Sequence, residues 1–300
     1  MIDPKLVTLS KVAQTGSFTK AAEELSLSQP AVSQHIHQLE IEMGVTLFRK
    51  VGKQFVLTPE GERALEFARR IQSLYADFDA SVRNERGNIT RLKVGITHTA
   101  ESGRVTEALA SYCAQNGKAN IMIITDTINN LYNKLKTFEI DLAVAEGTVP
   151  DPEIHSVLLD TDYLVLMMAN DHPLAGKSMV TVEELKKERM ILRLPNSGAR
   201  ELFVSGLEGR GLSLDDFNVI LEVDSIATIK DLVLRGYGVS ILAQSACLDE
   251  LKKGRLTALP VENLSMSREV NILYHQTFRN MDALREIVRL YNRMARKGIA

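Results

Sequence analysis

Three hundred residues, 45% hydrophobic and 25% charged, make an ordinary globular composition on a chain too long for one compact domain, so two or three folding units are expected. No apolar run is long enough to span a bilayer, and the start, MIDPKLVTLSKVAQTGSFTK, lacks the apolar core of an export signal, which makes the cytoplasm the expected compartment. The net charge is −2, and the first 58 residues carry six basic side chains against five acidic ones, so bulk charge excludes itself as an argument for a polyanionic partner.

In chain order, Leu6, Leu9, Val12 and Ala13 recur at helical spacing and predict a first helix over 5–15. Gly16 ends it, and Ser17 is the cap of a second helix with Phe18, Ala21, Ala22 and Leu25 on its apolar face. After the turn at Ser26-Leu27, Ser28 caps a third helix whose first turn holds Pro30, where a missing N–H costs nothing. Its buried side is expected to be Ala31, Val32, Ile36, Leu39 and Met43. Three short helices with a tight turn before the third form a helix-turn-helix, whose third helix enters the major groove by its N-terminal end. That end carries Ser28, Gln29, Pro30, Ser33, Gln34 and His37, mostly short polar groups suited to base edges and phosphates. Beyond Gly44, VTLFRKVGKQFVLT reads as two strands around a glycine turn, with Arg49, Lys50 and Lys53 at the tip, a wing placed to touch the DNA backbone or minor groove.

The run GSFTKAAEELSLSQPAVSQHIHQLEIEMGVTLFRKVGKQFVLTPEG resembles the DNA-binding signature of the LysR-type transcriptional regulators almost position for position. The alanine pair, the stretch Ser28 to Ser33, Leu39-Glu40, Gly44, Leu47-Phe48 and Leu57 to Gly61 all fall where that family has them. Arginine is common in the family where this chain has Gln34, Lys50 and Lys53. Those exchanges keep backbone binding but remove planar two-pronged donors.

Thr58-Pro59 opens a further helix, with Ala64, Leu65, Phe67, Ala68, Ile71, Leu74, Tyr75, Phe78 and Val82 at steps of three and four to about Arg86. Such a rod, roughly 40 Å long, wants a partner for its apolar stripe: its own copy in a second subunit, or else the C-terminal domain of the same chain. The resemblance implies the first, with linker helices pairing antiparallel in a homodimer and dimers pairing into a homotetramer.

Arg86-Gly87-Asn88 breaks the helix, and short β-rich runs then alternate with helical ones. Strands are predicted at 92–96, 121–125, 141–145, 163–168, 190–194, 219–223, 239–242 and 270–274, and helices at 104–115, 128–137, 199–209, 226–235 and 280–296. Alternation of this kind means mainly parallel sheets under helices, in one sheet or two. The resemblance implies two: an α/β effector domain like a periplasmic binding protein, with lobe one at 91–161 plus 267–300 and lobe two at 162–266. The whole chain then reads as an all-α winged helix-turn-helix (1–58), a linker helix (59–88) and the two-lobed α/β domain (91–300). Asp171-His172-Pro173-Leu174 and the glycines of GYGVSIL (236–242) match the family in this more divergent part.

In such folds ligands sit beyond the carboxyl ends of the strands, against helix N-termini. That rule selects Thr97, His98, Thr99, Ser102, Asp126, Thr127, Glu146, Asn196, Ser197, Arg200, Asp224 and Ser225. Hydroxyls, free amides and Arg200 or His98 suit a carboxylate, while Glu146, Asp126 and Asp224 suit an amine; an amino acid or small organic acid is the expected effector, and each residue has ordinary helix capping as its alternative role. No nucleophile elbow, metal-ligand spacing or phosphate loop supports an enzyme, and no cofactor is expected. A transported-solute receptor would share the cleft but not the helix-turn-helix. The expected partners are operator DNA, further copies of the chain and, for an activator, RNA polymerase, with no membrane. Cys113 and Cys247 lie far apart and read as free thiols rather than a redox pair.

Overall fold

The structure, a computed structural model, describes residues 2–52, 54–83, 90–100, 104–147, 150–195 and 197–297. The chain divides into two compact units, residues 1–90 with 133–141, and residues 91–132 with 142–300.

In the first unit the capping residues set the helix boundaries. Asp3 accepts the Lys5 N–H at the head of α1 (Pro4–Thr15), Ser17 accepts Lys20 N–H at α2 (Phe18–Leu25), and Ser28 accepts Ala31 N–H at α3 (Gln29–Met43). Leu9, Val12, Ala21, Ala22, Val32, Ile36 and Leu39 close one small core, and the two alanines leave room for the helices to approach. Met43 and Ala31 differ from expectation: Met43 is exposed and Ala31 half-buried. The chain turns at Gly44 (φ 67°), and Leu47 and Phe48 from the next segment take the core positions instead. Strands β1 (Phe48–Val51) and β2 (Gln54–Leu57) pair antiparallel as the wing, pinned by edge contacts of Phe18 with Phe48 and Phe55, centroids 5.9 and 4.6 Å apart.

The linker helix α4 (Pro59–Arg83) begins where Thr58 donates to the Thr46 carbonyl at 2.6 Å and accepts the Gly61 N–H at 3.0 Å. Gln72 ties it to α1 through the Leu6 carbonyl and the Ser10 hydroxyl, at 3.1 and 2.8 Å. Its outer side exposes Phe67, Ile71, Leu74, Phe78 and Val82. The expected continuation to Arg86 and the break at 86–88 lie outside the described residues. Residues 133–141 complete this unit, with Lys136 and Glu139 facing Glu66 and Arg69 of α4 at 3.8 and 3.9 Å.

Along the chain follow β3 (Thr90–Ile96), α5 (Arg104–Gln115), β4 (Ala119–Thr125), α6 (Ile128–Lys136, whose last four residues count with the first unit), β5 (Leu142–Glu146), β6 (Ile154–Ala169), α7 (Val182–Leu185), β7 (Met190–Arg193), α8 (Gly198–Glu208), β8 (Val219–Val223), α9 (Ile226–Leu234), β9 (Ser240–Ala243), α10 (Leu248–Lys252), β10 (Leu256–Leu259), β11 (Ser267–His275) and α11 (Met281–Lys297). One lobe has the strand order β6-β11-β5-β3-β4, with α5 and α11 packed together over Leu92, Val94, Ile96, Leu142 and Ile272. The other has β10-β6-β9 beside the parallel pair β7-β8.

Strand β6 belongs to both lobes: Ile154 to Tyr163 pair with β11, and Leu164 to Ala169 with β9 and β10. Its second half is buried on both faces, Leu164, Leu166 and Met168 in one apolar cluster and Met167 in the other, as a period of two dictates. The expected strand at 163–168 is only this half. The first half, IHSVLLDTDY, mixes exposed and buried positions and gives no clean alternation. Mainly parallel sheets are also corrected: β3–β5 and β7–β8 are parallel, but β11 runs antiparallel to both β5 and β6. A strand that returns the chain from one lobe to the other must run against the strand that took it across.

Two glycines are fixed by close approach. A Cβ on Gly61 would fall far inside contact distance of the Leu47 carbonyl, and one on Gly238 would strike the Arg189 carbonyl. Gly61→Ala is therefore expected to destabilise the first unit by about 2 kcal/mol or more, read as a lowered denaturation midpoint; unchanged unfolding would mean the wing and linker are not packed this closely.

Candidate functional sites

The first site is the exposed N-terminal end of α3 with the wing beside it. Ser28, Gln29, Pro30, Gln34 and His37 are exposed and Ser33 is half-buried. The Ser28 hydroxyl is committed to capping Ala31 N–H at 3.3 Å. Gln29 Nε2 donates to Ser33 Oγ at 2.9 Å, which holds the amide against its own helix and leaves the Gln29 carbonyl and one amide hydrogen facing outward. Arg49 and Lys50 are both exposed on β1, and, being adjacent, point to opposite faces of the wing. Lys53 lies outside the described residues.

Two polar contacts that the residue pattern did not assign hold this head in shape. The Glu40 carboxylate accepts Leu47 N–H at 2.7 Å, joining the reading helix to the wing. Thr8 donates to the Pro4 carbonyl at 3.0 Å, so its oxygen accepts from His35 Nδ1 at 2.9 Å, which locks the α3 histidine to α1.

The second site lies where the two lobes of the α/β unit meet. Thr97, Thr99, Asp126 and Glu146 stand at the carboxyl ends of β3, β4 and β5. Thr97 and Thr99 are buried, His98 is exposed, and Thr97 donates to Glu146 at 2.8 Å. Asp126 accepts Thr127 N–H and the Asn130 amide, and Thr127 accepts Asn130 N–H, so this pair is engaged in capping α6. Ser197 caps α8 through Arg200 N–H and Ser225 caps α9 through Thr228 N–H, both at 3.3 Å. Arg200 is spent on the Arg193 carbonyl at 3.0 Å and on the Glu222 carboxylate. Ser102 and Asn196 lie outside the described residues.

Three members of the charged centre, Asp162, Arg193 and Arg268, were passed over by the strand-end rule, which named Glu146 and Asp224 beside them. Arg268 on β11 sits directly opposite Asp162 on β6, 3.5 Å from its carboxylate and 3.7 Å from Glu146. Asp162 also accepts the Ser245 N–H and hydroxyl, at 3.2 and 2.8 Å. Arg193, last residue of β7, pairs with Asp224 at 3.1 Å and lies within electrostatic reach of Glu146 and Arg268. Burial pulls the Arg193 guanidinium below its ordinary value, and Asp224 opposes that shift. The sequence signal for these residues was a charge interrupting an apolar strand: Asp162 just before YLVLMMA, and Arg193 closing MILR. Elsewhere, His172 Nδ1 accepts Leu174 N–H at 3.3 Å within a turn, and burial pushes the Cys247 thiol up to about 12, so it stays protonated at neutral pH. Among the described residues, no three His, Cys, Asp or Glu side chains gather as a metal site, and no helix is long and apolar enough to cross a membrane.

A winged helix-turn-helix followed by a linker helix and a two-lobed α/β domain with a charged cleft defines a ligand-responsive DNA-binding regulator. Residues 5–62 match the family model described as bacterial regulatory helix-turn-helix protein, lysR family, and residues 85–296 match the LysR substrate binding domain. The chain belongs to the LysR family of transcriptional regulators. It is 26% identical to the HTH-type transcriptional regulator CysL of Bacillus subtilis over 92% of this chain and 91% of that protein. It is 27% identical to the RuBisCO operon transcriptional regulator of Allochromatium vinosum, over 91% and 89%. The fold is shared with CbnR, a LysR family transcriptional regulator (TM-score 0.66, 19% identity, 98% and 99% covered), and with a full-length OxyR variant from Pseudomonas aeruginosa (TM-score 0.63, 23% identity, 96% of each chain). The relatives matched by sequence are named as regulators and not as enzymes.

The two groups of head residues predict different losses. Lys50→Ala should weaken binding to every duplex alike and reduce the slope of log K against log salt by about 1, whereas Gln29→Ala should lower preference for the operator over random DNA by about 1–3 kcal/mol. Fluorescence anisotropy titrations at several salt concentrations separate the two. An unchanged operator preference in Gln29→Ala would remove Gln29 from the reading surface.

Proposed function

We propose that this protein controls transcription by holding operator DNA as a homo-oligomer and changing its grip when a small molecule binds between the lobes of its α/β unit. The observation that carries the effector reading is the buried cluster of Glu146, Asp162, Arg193 and Arg268, which draws on both lobes and on both crossing strands. A ligand can shift a two-state equilibrium only by binding one state better, and groups contributed by both lobes discriminate between open and closed cleft directly. An amino acid or small organic acid suits this chemistry.

DNA binding rests on the exposed polar end of α3 beside Arg49 and Lys50, and a solved likeness is CbnR complexed with its target DNA (TM-score 0.65, 19% identity, 98% and 99% covered). Pairing through α4 rests on the exposed run Phe67, Ile71, Leu74, Phe78 and Val82, spaced by three and four along one stripe that water does not stabilise. Dimers joined this way pair into tetramers, the effector alters the spacing of the reading heads, and contact with RNA polymerase follows where the protein activates. The work is done in the cytoplasm, where the DNA is.

Retardation of the upstream intergenic DNA by the purified chain, against unrelated competitor and at several salt concentrations, tests the proposal. Binding that survives competitor is the expected result, and none even at low salt would reject it. Ile71→Asp with Phe78→Asp should lower the sedimenting mass to a smaller species and weaken operator binding; an unchanged mass would remove α4 from the interface.

A further inference from the structure

Lobe two has a second end, away from the cleft, and the strand topology collects positive charge there. Strands β9 and β10 both run antiparallel to β6, while β7 is parallel to β8 and bridges in parallel to Val239, just before β9. The amino ends of β7, β8, β9 and β10 therefore lie together beside the carboxyl end of β6, and Arg193, closing β7, marks the cleft end. The turns at the amino ends read KKER (186–189), GRG (209–211), RGYG (235–238) and KKGR (252–255). They hold eight cationic side chains against one carboxylate, on a chain whose net charge is −2. All of these cations except Lys186 are exposed.

Local pairing and helix ends account for only part of this charge. Lys186 pairs with Glu183 at 3.0 Å, Arg235 with Asp231 at 3.0 Å and Arg255 with Glu250 at 3.6 Å, and Glu188 faces His172 at 3.3 Å. Arg210, Arg235 and Lys253 each precede a glycine at positive φ just past α8, α9 or α10, where a cation offsets the helix dipole. Lys187 and Lys252 are second cations at ends where Lys186 and Lys253 already serve. Among the described residues Lys187, Arg210, Lys252 and Lys253 have no carboxylate partner. The turns are held in place: Arg189 donates to the Gly236 carbonyl at 3.3 Å, and Asn170, at the end of β6, donates to the Gly254 carbonyl.

We propose that this end of lobe two is a docking surface for the phosphate backbone of duplex DNA, separate from the reading head. The proposal rests on the reading of the head as the DNA-binding end, because DNA held there meets the rest of the same chain at high effective concentration. Five strands about 4.8 Å apart spread the cations over about 19 Å, close to half a turn of duplex, which presents one charge per about 1.7 Å of axis. Such a contact reads no bases and adds affinity through released counterions. Composition argues against a protein partner: interface centres are apolar and poor in lysine, and these turns expose one aromatic ring, Tyr237.

Fluorescence anisotropy of the full chain tests this, on duplexes of about 60 base pairs, from the upstream intergenic DNA and of unrelated sequence, between about 50 and 200 mM salt. In the triple variant Lys187→Gln, Lys252→Gln, Lys253→Gln the slope of log K against log salt should fall by about 2 or more on both sequences, with the preference between them unchanged. The charge-matched triple Lys118→Gln, Arg279→Gln, Arg285→Gln, at exposed positions of lobe one, should keep the wild-type slope. An equal loss in both variants makes the effect one of net charge and overturns the proposal, as does an unchanged slope in the first. If the first variant unfolds at a lower temperature, the pair Lys187→Gln, Lys252→Gln, which leaves each helix end a cation, carries the decision; its slope should fall by about 1 or more. A lowered Tm with the wild-type slope makes the cations compensation for helix ends alone and rejects the surface. An unchanged slope, together with retention on immobilised poly-glutamate that the first variant loses, would reject DNA and assign an acidic protein surface. Absence of wild-type binding to either duplex at low salt would reject the reading head and this surface together, whereas wild-type binding with equal slopes rejects this surface alone.

Discussion

The pairing of Asp162 with Arg268 is the constraint around which the α/β unit is arranged. The two residues face each other across neighbouring antiparallel strands, at the point where β6 leaves one sheet and enters the other. Beyond that point β6 is apolar and packed on both faces, with Leu166 and Met168 buried against one layer and Met167 against another. A charge inside either lobe would be costly to desolvate. At the junction Arg268 is matched by Asp162 across the strands and by Glu146, and Asp162 also accepts from Ser245. The crossing point of the strands and the charged cluster are therefore one feature.

The same division of labour orders the DNA-reading head. Groups that must be satisfied locally are spent on shape: Glu40 on the wing, Thr58 on the start of the linker, Ser28 on its own helix, His35 on Thr8. Groups left over are those on the surface, namely Gln29, Gln34, His37, Arg49 and Lys50. Gln29 stands between the two sets, because its bond to Ser33 consumes one amide hydrogen and directs the rest of the amide outward. A side chain held in this way loses less entropy on meeting a base than a free one does. Along α4 the buried and exposed sides separate in the same manner, Leu65 and Ala68 inward and Phe67, Ile71 and Leu74 outward.

Most elements of the chain were legible from local chemistry. Caps and proline positions marked the starts of α1 to α4 within a residue or two, and the helix expected at 104–115 is α5 as observed. Strand β6 was only half legible, because its first half lies where one face is exposed and periodicity fails. The short β10 was not anticipated, since LTAL between charged and turn residues carries too few positions to set a period. Met43 continued the helical pattern beyond the core that could receive it. In the cleft, the rule that ligands lie beyond strand ends located Thr97 and Glu146 together. It also named Ser197, Ser225, Asp126 and Thr127, whose side chains cap helices.

By itself the sequence determined what depends on neighbours within a few residues: helix starts and stops, the wing hairpin, the long amphipathic linker, the alternation of strands and helices, and through its motifs the LysR family. Only the tertiary structure decided which charges meet. Glu146, Asp162, Arg193 and Arg268 come from four strands spread over more than a hundred residues, and Arg200, equally charged and closer to a helix cap, is diverted to Glu222 and a backbone carbonyl. The reason is physical. Capping and periodicity are short-range and leave a trace in the order of residues, whereas the pairing of a buried charge is set by strand register and lobe packing, which bring distant residues together without a local signature.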